Sequence, residues 1–137
     1  MDTLRVKEYM EYQPAAIRCD AMLTEVIDEL LKHKSTGAPV VNEQNEVVGF
    51  VSEQDCLRSL LVSGYYCDKV DSVKDVMRRE VLTIGPEDNV VELARRMTDQ
   101  LPKIYPVVLD GKLIGLIDRR RILSALVASQ VEHCKVW

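Results

Sequence analysis

Several features that would assign a function at once are absent from this chain. Its four cysteines, Cys19, Cys56, Cys67 and Cys134, are scattered with no Cys-x-x-Cys pair. They read as reduced thiols, which excludes a disulfide frame and a cysteine zinc site. The two histidines, His33 and His133, stand 100 residues apart, and there is no His-Glu-x-x-His. No metal is expected. A nucleophile elbow and a Walker loop are missing too, so an enzyme reading has no candidate constellation. No apolar run approaches the ~20 residues needed to span a bilayer. The start, Met1-Asp2-Thr3-Leu4-Arg5, has no basic segment followed by an apolar core and is not a signal peptide. The expectation is a cytoplasmic protein without a membrane partner. An excess of base is also lacking: 18 basic residues face 22 acidic ones, for a net charge of −4. A general nucleic-acid binder needs a basic surface, so no nucleic-acid partner is expected.

What the chain does contain, it contains twice. Val6-Lys7-Glu8-Tyr9-Met10 returns as Val73-Lys74-Asp75-Val76-Met77, and Pro39-Val40-Val41 returns as Pro106-Val107-Val108, each 67 positions later. Gly49, Leu57 and Leu60 return as Gly115, Leu123 and Leu126, now 66 apart. One residue has therefore dropped out between Val41 and Gly49, in a stretch that reads as a turn. A repeat of this length is a supersecondary unit used twice. Each copy, at about 60 residues, is small for an independent core, so each is expected to cover the other.

The pattern within a copy is β-α-β-β-α. In copy one Leu4 to Met10 reads as a lead-in helix and Ala15 to Ile17 as an extended piece. Asp20 is placed to cap a helix from about Met22 to His33, with Leu23, Val26, Ile27, Leu30 and Leu31 on its apolar face. Strands follow at Ala38–Val41 and Val47–Val51, joined by a polar turn, and Ser52 starts a helix to about Leu61. Copy two repeats this: lead-in Val73–Met77, extended Leu82–Ile84, a helix over Asn89–Gln100, and strands at Tyr105–Leu109 and Leu113–Ile117. Asp110-Gly111 is a strong hairpin signal between those strands. A helix over Arg119–Ser129 closes the copy. The resulting division is repeat one at 1–62, a linker at 63–72, repeat two at 73–130 and a tail at 131–137.

This ordered set resembles a tandem pair of cystathionine β-synthase (CBS) domains, a Bateman module. The residues that carry the resemblance in copy one are Ser35-Thr36-Gly37-Ala38-Pro39-Val40-Val41 and Gly49-Phe50-Val51-Ser52-Glu53-Gln54-Asp55. In copy two they are Ile104-Tyr105-Pro106-Val107-Val108 and Gly115-Leu116-Ile117-Asp118. The resemblance runs from about Val6 to Leu126. It implies an α+β fold, two β-α-β-β-α repeats packed about a pseudo-two-fold axis. It implies a stand-alone regulatory protein that binds an adenosine nucleotide (AMP, ADP or ATP, with S-adenosylmethionine a further candidate) in the groove between repeats. Such modules commonly pair into a disc-like homodimer, and an effector protein would read the output. A ligand-free dimerisation or interaction module is the alternative.

The family also suggests that the Ser-x-x-Asp of one copy faces the extended piece and Pro-Val strand of the other. Under that rule one site joins Ser52 and Asp55 to Thr83, Ile84, Lys103, Ile104, Tyr105 and Pro106. Asp55 would accept from both ribose hydroxyls, and Ser52 with nearby backbone N–H groups would meet a phosphate. Thr83 supplies a hydroxyl, Lys103 could reach a phosphate, backbone around Tyr105 would read the adenine edge, and Ile84 could pack on its face. A purely structural reading stays open beside this one: Ser52 as N-cap with Asp55 at N3 is a capping box. The second site would join Ala16, Ile17, Ala38 and Pro39 to Asp118 and Arg121. There Arg121 stands where Asp55 would be, Ala16 replaces Thr83, and Asp118 would repel a phosphate, so this site reads as eroded.

Other features carry less. Arg119-Arg120-Arg121 opens a helix and is either an anion clamp or a solvated face. Arg78-Arg79 and Arg95-Arg96 read as solvated. His33 reads as a helix C-terminal residue. Cys67 is the thiol expected to be exposed, and Trp137 is a possible docking anchor.

Overall fold

A computed structural model describes residues 4–63, 71–99 and 103–134. Cys67 and Trp137 lie outside the described residues. In chain order the elements are a 3-10 turn at Val6–Glu8, β1 (Glu11–Tyr12), β2 (Ile17–Arg18), α1 (Leu23–Lys32), β3 (Gly37–Val41), β4 (Val47–Ser52) and α2 (Glu53–Ser63). Then come α3 (Val73–Val76), α4 (Val90–Met97), β5 (Ile104–Leu109), β6 (Lys112–Asp118) and α5 (Arg119–Cys134). The fold class is α+β, as the sequence pattern implies.

Two compact units form, and they do not follow the two sequence copies. One holds residues 15–81 with 111–113, the other residues 1–14, 82–110 and 114–137. We call them the Asp55 unit and the Arg121 unit. Each copy has given its lead-in to the unit built mainly from the other copy. The periodicity of a seven-residue segment does not say which sheet it joins, so this exchange is invisible in the pattern.

The hydrogen bonds that seat the lead-ins are the same in both units. In the Arg121 unit Val6 N donates to Asp88 O at 3.0 Å and Val90 N to Leu4 O at 2.9 Å. In the Asp55 unit the counterparts are Val73 N to Ala21 O and Leu23 N to Asp71 O, both 2.9 Å. Val6 and Val73 are each fully buried in the host core, a burial that stabilises by roughly 1.5–3 kcal/mol per side chain. Beyond them the chain lies along the last strand: Glu11 pairs with Leu116 and Tyr12 with Gly115, while Arg78 exchanges two bonds with Phe50 at 2.9 and 2.8 Å. Glycine makes this approach possible. A Cβ on Gly49 would lie 2.4 Å from Met77 Sδ and 2.9 Å from Arg78 O, and one on Gly115 would lie 2.6 Å from Met10 Sδ and 2.8 Å from Glu11 O.

Each sheet is three-stranded, β2-β3-β4 in the Asp55 unit and β1-β6-β5 in the Arg121 unit. The extended piece of copy one is β2, parallel to β3 through Ile17 and Val40. Its counterpart in copy two makes a single parallel bridge from Ile84 to Val107. Asp110 and Gly111 have φ of 52° and 80°, the positive values that a two-residue type I′ hairpin requires. Copy one spends its extra residue on a longer turn, where Asn42 Oδ1 accepts from Gln44 N at 3.0 Å and Glu46 N at 2.9 Å.

Four local expectations are corrected. The lead-in of copy one is a single 3-10 turn followed by β1, because pairing with β6 pulls Glu11 and Tyr12 into extended conformation. Asp20 does not cap α1. Met22 is the N-cap residue, without a side-chain cap bond, and its own N–H donates to Glu25 Oε1 at 2.9 Å, the half of a capping box that an acceptor three residues into the helix supplies. Leu31 is 67% exposed rather than part of the buried stripe, which consists of Leu23, Val26 and Leu30. The last helix does not stop at Ser129 but continues to Cys134.

Candidate functional site

The junction of β4 and α2 places Ser52 and Asp55. Ser52 is the last residue of β4, and α2 begins at once, so four N–H groups at its start need acceptors. Ser52 Oγ accepts from Asp55 N at 3.1 Å, and Asp55 Oδ2 accepts from Ser52 N at 3.0 Å and from Ser52 Oγ at 2.9 Å. The capping box read as one alternative is therefore present, with Asp in place of the usual Glu or Gln. It uses only one carboxylate oxygen. Asp55 Oδ1 faces two guanidinium groups, Arg58 Nη1 at 3.5 Å and Arg78 Nε at 3.7 Å. Both arginines are mostly exposed, while the Asp55 side chain is 4% exposed. A buried carboxylate is thus oriented by its cap, with its second oxygen in long contacts to exposed cations.

Beside it, burial pushes the Cys56 thiol up, and the negative charges of Asp55 and Glu53 add to the rise. A thiol so placed stays protonated and unreactive.

The equivalent junction in the Arg121 unit has the same backbone and different chemistry. Asp118 ends β6 and its Oδ1 accepts from Arg121 N at 2.9 Å. The cap survives, as the exchange of Ser for Asp allows. The Arg121 side chain turns to the lead-in and donates from Nη1 to Tyr9 O at 3.2 Å. Arg119 and Arg120 are exposed, and Arg119 N donates to Lys103 O at 3.1 Å.

The remaining site residues divide between the units. Thr83, Ile84, Lys103, Ile104, Tyr105 and Pro106 belong to the Arg121 unit with Asp118 and Arg121. Ala16, Ile17, Ala38 and Pro39 belong to the Asp55 unit with Ser52 and Asp55. Thr83 and Lys103 are exposed and Ile104 is half-buried. Ile84 is a core residue of its unit, as is Ile17 of the other. Pro39 and Pro106 are fully buried, and Ala38 is buried. The Tyr105 side chain turns inward, 1% exposed among Val6, Leu93 and Ile122. Its hydroxyl is buried without a hydrogen-bond partner among the described residues. Burial pushes the phenol up, with Arg96 pulling weakly the other way.

Arg78 reads from the sequence as solvated and is mostly exposed, but its 3.7 Å contact with Asp55 is what sequence reasoning missed. A signal for it exists in the repeat. Arg78 stands 67 residues after Glu11, and Arg121 stands 66 after Asp55. Both positions reverse charge between copies, and in the Asp55 unit the two meet as Asp55 and Arg78.

Among the described residues no group of three or more His, Cys, Asp or Glu could hold a metal ion. No described helix is long and apolar enough to cross a membrane.

Comparison with known proteins adds four findings. The family model described as CBS domain matches residues 6–62 and again 73–128. An uncharacterized protein, MJ1225 of Methanocaldococcus jannaschii, is 31% identical over 124 residues, covering 88% of this chain and 42% of that protein. This chain thus spans less than half of that relative's length. Among solved structures, CBSX2 in complex with AMP matches with a TM-score of 0.79 and 26% identity over 92% of this chain and 98% of that one. A putative acetoin utilization protein (AcuB) from Vibrio cholerae shares the fold, with a TM-score of 0.84 and 19% identity over 98% of each chain.

Proposed function

The chain belongs to the CBS domain family and carries two such domains in tandem, and from that premise we propose that it is a regulatory module, not an enzyme, that binds an adenosine-type ligand through Asp55. The observation that carries this reading is the second oxygen of that carboxylate. The cap fixes Asp55 through Oδ2 and leaves Oδ1 to exposed guanidinium groups at 3.5 and 3.7 Å. A vicinal diol brings two donors to one carboxylate, the match a ribose offers. Arg121 has donors only and cannot take that role. The AMP held by CBSX2, at 26% identity, supports the ligand class.

Calorimetric titration of the full chain with adenosine, AMP, ATP and S-adenosylmethionine tests the reading and ranks the ligands. Asp55→Ala abolishes binding of whichever of these binds, and Arg121→Ala weakens it less. Equal losses in the two variants would contradict the asymmetry, and no binding by the unaltered chain would remove the ligand.

A partner is proposed on a separate observation. Leu57, Leu60 and Leu61 on α2 are exposed, and so are Leu123 and Val127 on α5. Leu57 and Leu123, like Leu61 and Val127, are equivalent positions 66 residues apart. An exposed apolar stripe that recurs in both copies supports association with a second copy of the chain. Sedimentation of the Leu57→Lys, Leu123→Lys double variant as a monomer, against a dimer for the unaltered chain, is the expected result.

A further inference from the structure

We propose that Arg78 is a displaceable latch: its guanidinium occupies the Asp55 oxygen a ligand needs, so that binding there releases part of the exchanged lead-in. The inference rests on the ligand reading above and adds its route of output.

The argument starts from acceptor capacity. A carboxylate offers about four lone-pair directions. On Asp55, Oδ2 takes two bonds from Ser52, and Oδ1 faces Arg58 and Arg78. A diol that donates to Oδ1 therefore competes with one or both arginines. The two differ in what they are attached to. Arg58 lies on α2 itself, three residues after Asp55, so freeing it moves nothing else. Arg78 belongs to the lead-in of copy two, which reaches this unit only by exchange. Its backbone is bonded to Phe50 in both directions, and Met77 fills the space over Gly49. Releasing its side chain removes an ion pair that ties that segment to α2.

The other unit supplies the control. Arg121, at the position of Asp55, holds the other lead-in through Tyr9 O at 3.2 Å. The same place in the fold thus pins a lead-in twice, with opposite polarity. A ligand hydroxyl can compete for the acceptor Asp55. Arg121 is a donor only and offers a diol no acceptor of that kind. Of the two contacts, only the one at Asp55 presents a diol with an acceptor.

Adenosine is the probe, because it has the diol and no phosphate to be drawn to the arginines. Calorimetry on the full chain and amide hydrogen exchange at Phe50 and Arg78 are measured together. In Arg78→Met, which keeps most of the aliphatic stem, adenosine binds about two- to fivefold tighter, the size expected for removing one exposed ion pair as competitor. Saturating adenosine speeds exchange at Phe50 and Arg78 in the unaltered chain, and has no such effect in Arg78→Met. Arg58→Met also binds more tightly but keeps the ligand-dependent exchange. Unchanged or weaker binding by Arg78→Met overturns the latch while leaving the ligand reading intact. So does unchanged exchange in a chain that binds adenosine. Failure of the unaltered chain to bind adenosine, AMP or ATP overturns both.

Discussion

The Asp55 unit and the Arg121 unit are built from the same parts in the same order. Each seats a borrowed lead-in through a buried valine, a methionine against a glycine, and an antiparallel contact to its last strand. Each begins its final helix with a side-chain cap. They differ in what the third residue after the strand does. Asp55 is buried and accepts; Arg121 is exposed and donates. Packing tolerates either, since the cap is satisfied by Ser52 in one unit and Asp118 in the other. Ligand chemistry does not, since a ribose needs an acceptor. The difference teaches that the duplication is kept where it builds the units and broken where it would build a second carboxylate.

The largest expected effect tests the shared part. Gly49→Ala and Gly115→Ala each drive a Cβ to within 3 Å of a lead-in carbonyl and a methionine sulfur. Each substitution should destabilise by about 1–3 kcal/mol, the range for overpacking against backbone. Chemical denaturation that shows one variant hurt and the other unaffected would end the claim that the two seats are equivalent.

Next comes the position at which the units part. Asp55→Ala leaves the Ser52 cap on the main-chain N–H of residue 55 but removes the acceptor of Ser52 N and Oγ, and should cost about 1–2 kcal/mol, as leaving part-buried donors unsatisfied does. Arg121→Ala leaves the Asp118 cap in place and should cost less than about 0.5 kcal/mol. Equal costs would mean that the two residues share a structural duty and nothing more.

A smaller effect sharpens the contrast in the cores. Tyr105 stands where the other copy has Ala38, and its hydroxyl has no partner among the described residues. Tyr105→Phe deletes a buried polar group that gains nothing from burial, so thermal unfolding should show a gain of up to about 1 kcal/mol. A clear loss would mean that the hydroxyl does have a bonded partner in solution.

The smallest effect concerns the ion pairs at the lead-in of the Arg121 unit. Lys7 Nζ lies 2.7 Å from Glu87 Oε2, and Arg5 adds a longer contact. The hydrogen bond from Lys7 is the main cause that holds the Glu87 carboxyl below its usual range. A carboxyl depressed on folding stabilises above its unfolded value, and that contribution fades as pH falls through the folded value. Glu87→Gln should therefore be slightly less stable at neutral pH and indistinguishable from the unaltered chain in acid. A difference that persists in acid would assign the effect to something other than charge.

Much of this was legible beforehand, and for a local reason. Side-chain period, turn residues and the 67-residue echo are properties of short stretches, and they placed α1, β3, β4, α2 and their counterparts to within a few residues. The capping box at Ser52 and Asp55 was legible too, because it spans three residues. Misreadings arose where a neighbour decided. Leu31 sits at apolar spacing but on the edge of the stripe. Met22, not Asp20, became the cap residue once Glu25 could reach its N–H.

By itself, then, the sequence determined the repeat, the α+β class, the family and the mismatch of Asp55 with Arg121. All of these follow from residue identity and spacing. Only the tertiary structure decided that the lead-ins trade places, that Gly49 and Gly115 clear their path, and that Arg78 meets Asp55. Those depend on hydrogen bonds and close approaches between segments more than 20 residues apart, and no periodicity along the chain encodes which strand edge a short segment will find.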